Sequence, residues 1–510
     1  MFDSRPYQAR MSIRVFLVFS LFILGASLAA IAELPYGGWI QIPVLSLLWW
    51  RLDHQQSTSL IKQFALGLSF GIGYFVVGLW WLYISLHDVG GMNALLACMG
   101  VFLLSAYVAL YFSLATLTIP LLKKSRLSGL FLASSWVLAE FLRGYIFTGF
   151  PWMGFAETQF NGPFAPIAPL FGGLACTFLA VWASWEIYQL RKHVITSALM
   201  IVTVIGISQF ASFATFTRPA GEPISVRLIQ GNFEQTLKFN PQAIGRQIDF
   251  YAGAITKEAA NLIIIPETAF PWPLPNLPIG LVEYLQNFSN TSGSNVLLGL
   301  IGEVPGASGM QYSNRATGLS PNTAPYQYDK AHLVPFGEFI PPGFQWFVKA
   351  FHVPMSDFAR GGLDQSPFTI VRKDQEDMHA AITICYEDVF GGELASRIQQ
   401  SNKPVNLLIN MTNLAWFGES QASTQQLRLS QLRSLETGLP ALRATNTGIT
   451  AVLGSDGKVL KALPEFTQAT LNTQVQAYSG KTPYVIWGNV PILGISCLLL
   501  LWGLIRHRRF

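Results

Sequence analysis

Eight apolar stretches leave this chain few folds to choose from. A helix that crosses a bilayer needs about 20 mostly apolar residues. Seven stretches before residue 217 meet or approach that length: Ile13–Ala32, Gly37–Trp50, Gln63–Ser85, Ala94–Leu122, Ser128–Phe147, Pro166–Leu190 and Val194–Phe216. An eighth runs from Val485 to Ile505. Of the 510 residues, 51% are hydrophobic and only 12% charged, against about 25% charged in a soluble globular chain. That shortfall excludes an ordinary soluble enzyme. Disorder is excluded too, because it needs low hydrophobicity and high charge. The expectation is a polytopic α-helical membrane domain of about eight spans joined to an α/β soluble domain.

The basic residues give the spans a direction. Arg5, Arg10 and Arg14 lie in the N-terminal tail, Arg51 and Lys62 follow the second stretch, and Lys123, Lys124 and Arg126 follow the fourth. Arg191 and Lys192 follow the sixth, and Arg506, Arg508 and Arg509 the eighth. The alternate loops, around Leu34–Tyr36, Leu86–Asn93 and Thr148–Ala165, hold no Lys or Arg. This positive-inside pattern predicts cytoplasmic termini. Residues 1–216 then form seven spans, 217–484 an extracytoplasmic domain, and 485–510 the eighth span and its tail. The first stretch, with its basic start and Ala29-Ala30-Ile31-Ala32, also fits a cleavable signal peptide, which leaves the remaining topology unchanged. The soluble block holds 19 Lys and Arg against 21 Asp and Glu, so the net +5 of the chain belongs to the membrane part and is no sign of nucleic acid.

Within the soluble block, Ser225–Gln230, Leu262–Ile265, Val296–Ile301, Ala380–Ile384 and Leu407–Ile409 are short apolar runs of buried-strand type. Asn240-Pro241, followed by Ile244, Ile248, Tyr251 and Ile255, predicts an amphipathic helix. Ser455-Asp456-Gly457 between Ile449–Leu453 and Val459–Leu460 predicts a hairpin. Strands plus covering helices make one α/β domain. Pro266–Gly280, Gly302–Pro325 and Pro335–Gly362, dense in Gly and Pro, are expected to be loops.

Cys385 is the only cysteine of this block, and it stands where an apolar strand gives way to Tyr386-Glu387-Asp388. Strand ends of α/β domains gather catalytic groups, so Cys385 is a candidate nucleophile, with a small buried core thiol as the alternative. A thiol nucleophile needs a base or a cation. His379 sits six residues back on the same strand, about 20 Å away at about 3.3 Å per residue. His332 stays open as a base. Glu267 follows another apolar strand, Leu262–Ile265, and is a cap or a base. Lys330 lies in Tyr328-Asp329-Lys330-Ala331-His332-Leu333-Val334-Pro335-Phe336-Gly337-Glu338. Glu140 and Arg143 share one helical face inside the fifth stretch and can pair, structurally or around a lipid head group. No Cys/His cluster has metal-ligand spacing and no phosphate-binding glycine motif appears, so neither a metal nor a cofactor is expected.

Pro-Glu after an apolar strand, then the Tyr328–Glu338 segment, then Ile384-Cys385-Tyr386-Glu387, resemble in order and spacing the nitrilase (carbon–nitrogen hydrolase) superfamily. The resemblance implies an αββα sandwich with Glu267 as general base, Lys330 as transition-state stabiliser and Cys385 as nucleophile. It also marks Glu338, Tyr386, Glu387, Asn413 and Trp416 as supporting residues. Glu387 is expected to orient Lys330 or Glu267, Glu338 to bind substrate or close its loop, and Trp416 to wall an acyl chain or pack in the core.

Eight spans with such a block between the seventh and eighth resemble the apolipoprotein N-acyltransferase family, as do Glu140–Gly144, Thr148–Trp152, Val226–Asn232 and Asn413–Gly418. Phe239 and Leu414 depart from that pattern, where Trp and Asp are usual. The family implies a bacterial inner-membrane enzyme with a periplasmic catalytic domain. Through a Cys385 thioester it moves an acyl chain from a membrane phospholipid to the α-amino group of a lipoprotein's S-diacylglyceryl-cysteine. Apolar segments 344–351 and Phe270–Leu277 are expected to dip toward the lipid, and a monomer is expected. A membrane-tethered amidohydrolase acting on a soluble amide is the alternative; a non-enzymatic transporter or scaffold is disfavoured by the complete triad.

Overall fold

The computed structural model describes residues 5–54, 59–119, 127–235, 241–306, 309–341, 343, 345 and 357–507. Phe239 and most of 344–351 lie outside them, with Lys123, Lys124, Arg126, Arg508 and Arg509. The chain forms two compact units. One comprises Met1–Tyr83, Asn93–Ala214 and Asn489–Phe510; the other comprises Ile84–Met92 and Thr215–Gly488.

The first unit is helical: α1 (Arg5–Ala32), α2 (Gly37–His54), α3 (Leu60–Gly78), α4 (Ala94–Thr116), α5 (Ser128–Arg143), α6 (Gly173–Gln189) and α7 (Val194–Ala211). Val15–Ala32 of α1, with α3, α4 and α7, are long and apolar enough to cross a membrane. Apolar solvent offers helices no hydrophobic drive to associate, so close backbone approach matters. It is visible where α1 meets α3. A Cβ on Gly25 would lie 2.0 Å from the Phe70 carbonyl oxygen, and one on Gly73 2.0 Å from that of Phe22. Two expected spans are shorter than their apolar runs. The third stretch stops being α-helical at Gly78, and Ile84–Val89 winds as a π-turn that belongs to the second unit. The sixth breaks at Gly172, whose φ of 77° interrupts the helix before α6.

The second unit is built on β1 (Thr217–Pro219), β2 (Ile224–Gln230), β3 (Leu262–Ile264), β4 (Phe270–Pro273), β5 (Asn295–Gly306), β6 (Gly309–Leu319), β7 (Tyr326–Asp329), β8 (Phe368–Ile370), β9 (Met378–Ile384), β10 (Leu407–Thr412), β11 (Ala441–Thr445), β12 (Ala451–Leu453), β13 (Val459–Ala462), β14 (Ala469–Val475) and β15 (Tyr478–Gly480). Its helices are α8 (Pro241–Thr256), α9 (Leu281–Ser292), α10 (Gly391–Gln400), α11 (Ala422–Thr437) and α12 (Pro483–Trp487); α13 (Val490–His507) returns to the first unit.

One sheet runs β14-β2-β3-β5-β6-β7 with β4 beside β5, and a second runs β13-β12-β11-β10-β9-β8. Side chains alternate along each strand, so the inner strands feed two cores. Ala380, Ile382 and Ile384 of β9 face Val226, Leu228 and Ile264 of the other sheet in the central core. On the outer faces, Ile263, Val296 and Leu298 pack under Ile244, Ile248 and Tyr251 of α8, and Ala381 and Leu408 pack under Leu394 and Ile398 of α10. The layering is therefore αββα. The central strands β2, β3 and β5 run parallel, as do β9, β10 and β11. Their carboxyl ends are where α/β folds place ligands.

The expected strands, the α8 helix and the β12–β13 hairpin all form. The expected loop over Gly302–Pro325 does not, because its first part pairs Gly302 with Ser313 through Gly306 with Gly309 in a long β5–β6 hairpin. The Phe270–Leu277 segment likewise turns inward. Phe270 and Leu277 are buried in the outer core with the apolar face of α8, while Pro275 and Asn276 between them are exposed.

Candidate active site

Glu267 stands just beyond β3, Lys330 just beyond β7 and Cys385 just beyond β9. The path of Glu267 is fixed by a close crossing, since a Cβ on Gly299 of β5 would lie 2.0 Å from the Pro266 carbonyl oxygen and 2.8 Å from the Glu267 Cα. The Glu267 side chain is then held from both oxygens. Oε1 accepts from Asn314 Nδ2 at 2.6 Å and Lys330 Nζ at 3.3 Å, and Oε2 accepts from the Asn413 amide at 2.9 Å.

Lys330 is buried between two carboxylates. Its Nζ donates to Glu338 at 2.9 Å as well as to Glu267. Burial works against its charge, but Glu338 and Glu267 outweigh that and hold the ammonium above its usual range. Glu338 also accepts from Asn314 Nδ2 at 2.8 Å and from the Val334 amide at 2.9 Å, which closes the loop that carries it.

Cys385 has φ of 52°, in the left-handed region that side chains seldom adopt. It is partly exposed. Burial of its surroundings and the Glu267 carboxylate push the thiol up to about 12, against the pull of Lys330. The resting thiol therefore keeps its proton at neutral pH, and a nucleophile here needs a base at the moment of attack. The turn is braced by Glu387, whose Oε2 accepts from the Ile384 amide at 2.7 Å and whose Oε1 accepts from the Ala331 amide at 2.7 Å. Glu387, expected to orient Lys330 or Glu267, holds the backbone beside Lys330, and Tyr328 donates to it at 2.9 Å. Burial raises its carboxyl, and Arg397 works against that.

Tyr386 is buried against His332 and Phe390. His332 stacks on Phe390 with ring centroids 3.5 Å apart and pairs with Glu393 at 3.2 Å. Asn413 presents its amide to Glu267 and its Oδ1 to Asn446. Trp416 is 36% exposed, so its ring is not core filling. Glu140 and Arg143 lie in the other unit and find separate partners: Thr177 donates to Glu140, and Arg143 donates to the carbonyls of Trp152 and Pro151. Asn314, which bridges Glu267 and Glu338, went unnoticed in the sequence because it sits in the stretch expected to be a loop.

A carboxylate, a buried cation and a thiol on a strained turn at strand ends of two mixed sheets suit acyl transfer. Residues 225–484 match the family model for carbon–nitrogen hydrolases. A solved CN-hydrolase superfamily protein from Xanthomonas campestris shares 14% identity with the chain, covering 56% of it and 97% of the other protein at a TM-score of 0.36. By the family-model match, residues 225–484 of the second unit are a carbon–nitrogen hydrolase domain. Residues 25–185 match the apolipoprotein N-acyltransferase N-terminal domain. The apolipoprotein N-acyltransferase of Ralstonia nicotianae is 40% identical, with 92% of this chain and 90% of the relative covered. Those of Nitrosomonas europaea (37%; 91% and 91% covered) and Haemophilus influenzae (35%; 94% and 93% covered) follow. The chain belongs to the apolipoprotein N-acyltransferase family, and it is an acyltransferase of lipoproteins.

Proposed function

We propose that Cys385 carries the acyl chain as a thioester between two half-reactions. In the first, Glu267 takes the thiol proton and the sulfur attacks an acyl ester of a membrane phospholipid. Lys330 and a backbone N–H near Tyr386 face the oxyanion. Collapse of the intermediate breaks the ester C–O bond, and the proton passes from Glu267 to the departing lysophospholipid oxygen. In the second, the α-amino group of a lipoprotein's S-diacylglyceryl-cysteine attacks the thioester. Glu267 removes a proton from the nitrogen, the C–S bond breaks, and the thiol is restored. The observation that carries this reading is the placement of the protonated, strained Cys385 within electrostatic reach of a charged Lys330 and of Glu267. Glu338, Asn413 and Glu387 hold those groups in place, and the half-exposed Trp416 offers apolar surface to the acyl chain.

The same reading takes 1–216 as seven spans, 217–484 as a periplasmic domain and 485–510 as an eighth span with its tail, in a monomer of the bacterial inner membrane with both termini cytoplasmic. The alternation of Lys- and Arg-bearing loops supports it. The test is to incubate purified protein with phospholipid bearing a labelled acyl chain, and to look for label on Cys385 that neutral hydroxylamine releases. Cys385→Ala is expected to take up none, and Glu267→Gln to slow uptake by at least about a hundredfold. Hydroxylamine-labile label on Cys385→Ala would overturn the assignment. Hydrolysis of a soluble amide without phospholipid would favour an amidohydrolase instead.

A further inference from the structure

Behind Cys385 lies a second polar network that the triad does not use. Gln426 of α11 points its Nε2 at the Cys385 carbonyl, 3.0 Å away, and at Sγ, 3.9 Å away. The Thr412 hydroxyl lies 3.3 Å from both ends of the Gln426 amide and can serve either. Arg443 of β11 decides between them. A guanidinium can only donate, and its Nη2 reaches Gln426 Oε1 at 3.2 Å. The oxygen therefore faces Arg443 and the NH2 group faces the sulfur.

Arg443 is itself fully buried. Its Nη1 donates to Ser430 Oγ at 2.6 Å, and Ser430 donates to Asp388, whose carboxylate is 3.6 Å from Arg443. Asp388 also accepts from Thr383 at 2.7 Å, and it follows Cys385 by three residues on the same turn. A buried ion pair is not in itself a source of stability. This one ties the turn that carries the sulfur to the side chain that faces it.

We propose that Gln426, locked in orientation by Arg443, is a further donor to the Cys385 sulfur in the acyl-transfer reaction. The inference rests on Cys385 being the nucleophile. Four charged groups act on the sulfur: Glu267 beyond β3, Lys330 beyond β7 and Glu338 from the loop after it, and Arg443 of β11. The carboxylates resist a thiolate and the two cations favour it, with Lys330 on the substrate side and Arg443 acting through Gln426. Negative charge appears on sulfur twice, when the thiol is deprotonated for attack and when the C–S bond breaks as the amine displaces it. In both steps the Gln426 N–H gains strength as its acceptor becomes ionic.

The test uses the full-length protein in detergent. Gln426→Met keeps the volume and loses the donor. Gln426→Glu pairs with Arg443 and offers the sulfur no N–H. For each variant whose melting temperature stays near that of the parent, alkylation of Cys385 by iodoacetamide is followed at fixed pH between 7 and 9 by mass spectrometry of its peptide, alongside thioester formation from labelled phospholipid. Both rates are expected to fall by about ten- to a hundredfold, the range for a hydrogen bond to a charged group, with little change in the KM for phospholipid. A folded variant that keeps the parent's alkylation and acylation rates would overturn the proposal. So would a fall confined to KM, which means Gln426 only shapes the pocket. Cys385→Ala runs in parallel: label on that variant indicts the nucleophile, whereas an inactive Cys385→Ala beside a fully active Gln426→Met indicts Gln426 alone.

Discussion

Glu387 ties the turns that carry Lys330 and Cys385 together with one side chain. It accepts from the amides of Ala331 and His332 beside Lys330, from the Ile384 amide beside Cys385, and from the Tyr328 hydroxyl. Removing it leaves three buried N–H groups without that acceptor, at about 1–3 kcal/mol each. Glu387→Ala should therefore melt several degrees lower and lose most acyl-Cys385 formation, both readable on one preparation; an unchanged melt and rate would show that the brace is dispensable. Asn314→Leu probes the other side of the site. Without the amide that joins Glu267 to Glu338, Glu267, the proposed base, loses its orientation, and acylation should drop by tenfold or more while the fold persists. Cys385 supplies a prediction in pH. Its thiol is raised to about 12 in the folded chain, against about 8.5 when unfolded. A raised thiol contributes stability that is whole below the unfolded value and is lost as pH climbs toward the folded one. Between pH 7 and 9, alkylation of the native thiol should thus rise about tenfold per unit without levelling, and should stay far slower than in the denatured chain. A plateau near pH 8.5 would mean the site does not hold the proton.

Elements differ in how openly the sequence announces them. Buried parallel strands are near-continuous apolar runs, so β2, β3, β9 and β10 stand out, and with them the ends that carry Glu267 and Cys385. The β5–β6 hairpin stays hidden because Gly302, Pro305, Gly306 and Gly309 imitate a loop. Gly302 is there because the Arg315 side chain crosses it on its way to a two-pronged pairing with Asp329. Asn314 is lost with that hairpin. Gln426 and Arg443 are missed for another reason: a polar residue on a helix and a cation in a strand reveal their target only when α11 and β11 pack behind Cys385. Gly299 likewise becomes meaningful only where two strands cross. Gly299→Ala places a methyl group against the Pro266 carbonyl, and overpacking of this kind costs about 1–3 kcal/mol. The strain falls on the peptide before Glu267, so the variant should lose acylation more than it loses melting temperature. A stable Gly299→Ala with parental rates would show that the crossing can relax.

At the scale of the whole molecule, the division into a helical unit and a carbon–nitrogen hydrolase domain follows the composition closely, since apolar runs and ordinary soluble sequence alternate only at residues near 217 and 485. One piece does not follow it. Ile84–Met92, between α3 and α4, groups with the catalytic unit, and the Ile84 side chain lies 3.2 Å from where a Cβ on Gly418 would be. That loop carries no Lys or Arg, as the proposed topology expects of an extracytoplasmic loop. The proposed topology sets Arg191 and Lys192 on the opposite side from that loop. Sidedness can be read with a membrane-impermeant maleimide on a chain whose four cysteines are replaced and one returned. A cysteine at Asp456, in the exposed β12–β13 turn, should label in intact spheroplasts. One at Lys192, in the exposed turn between α6 and α7, should label only after the membrane is opened. The opposite order would place the catalytic domain in the cytoplasm and remove the outer leaflet as the source of its acyl donor.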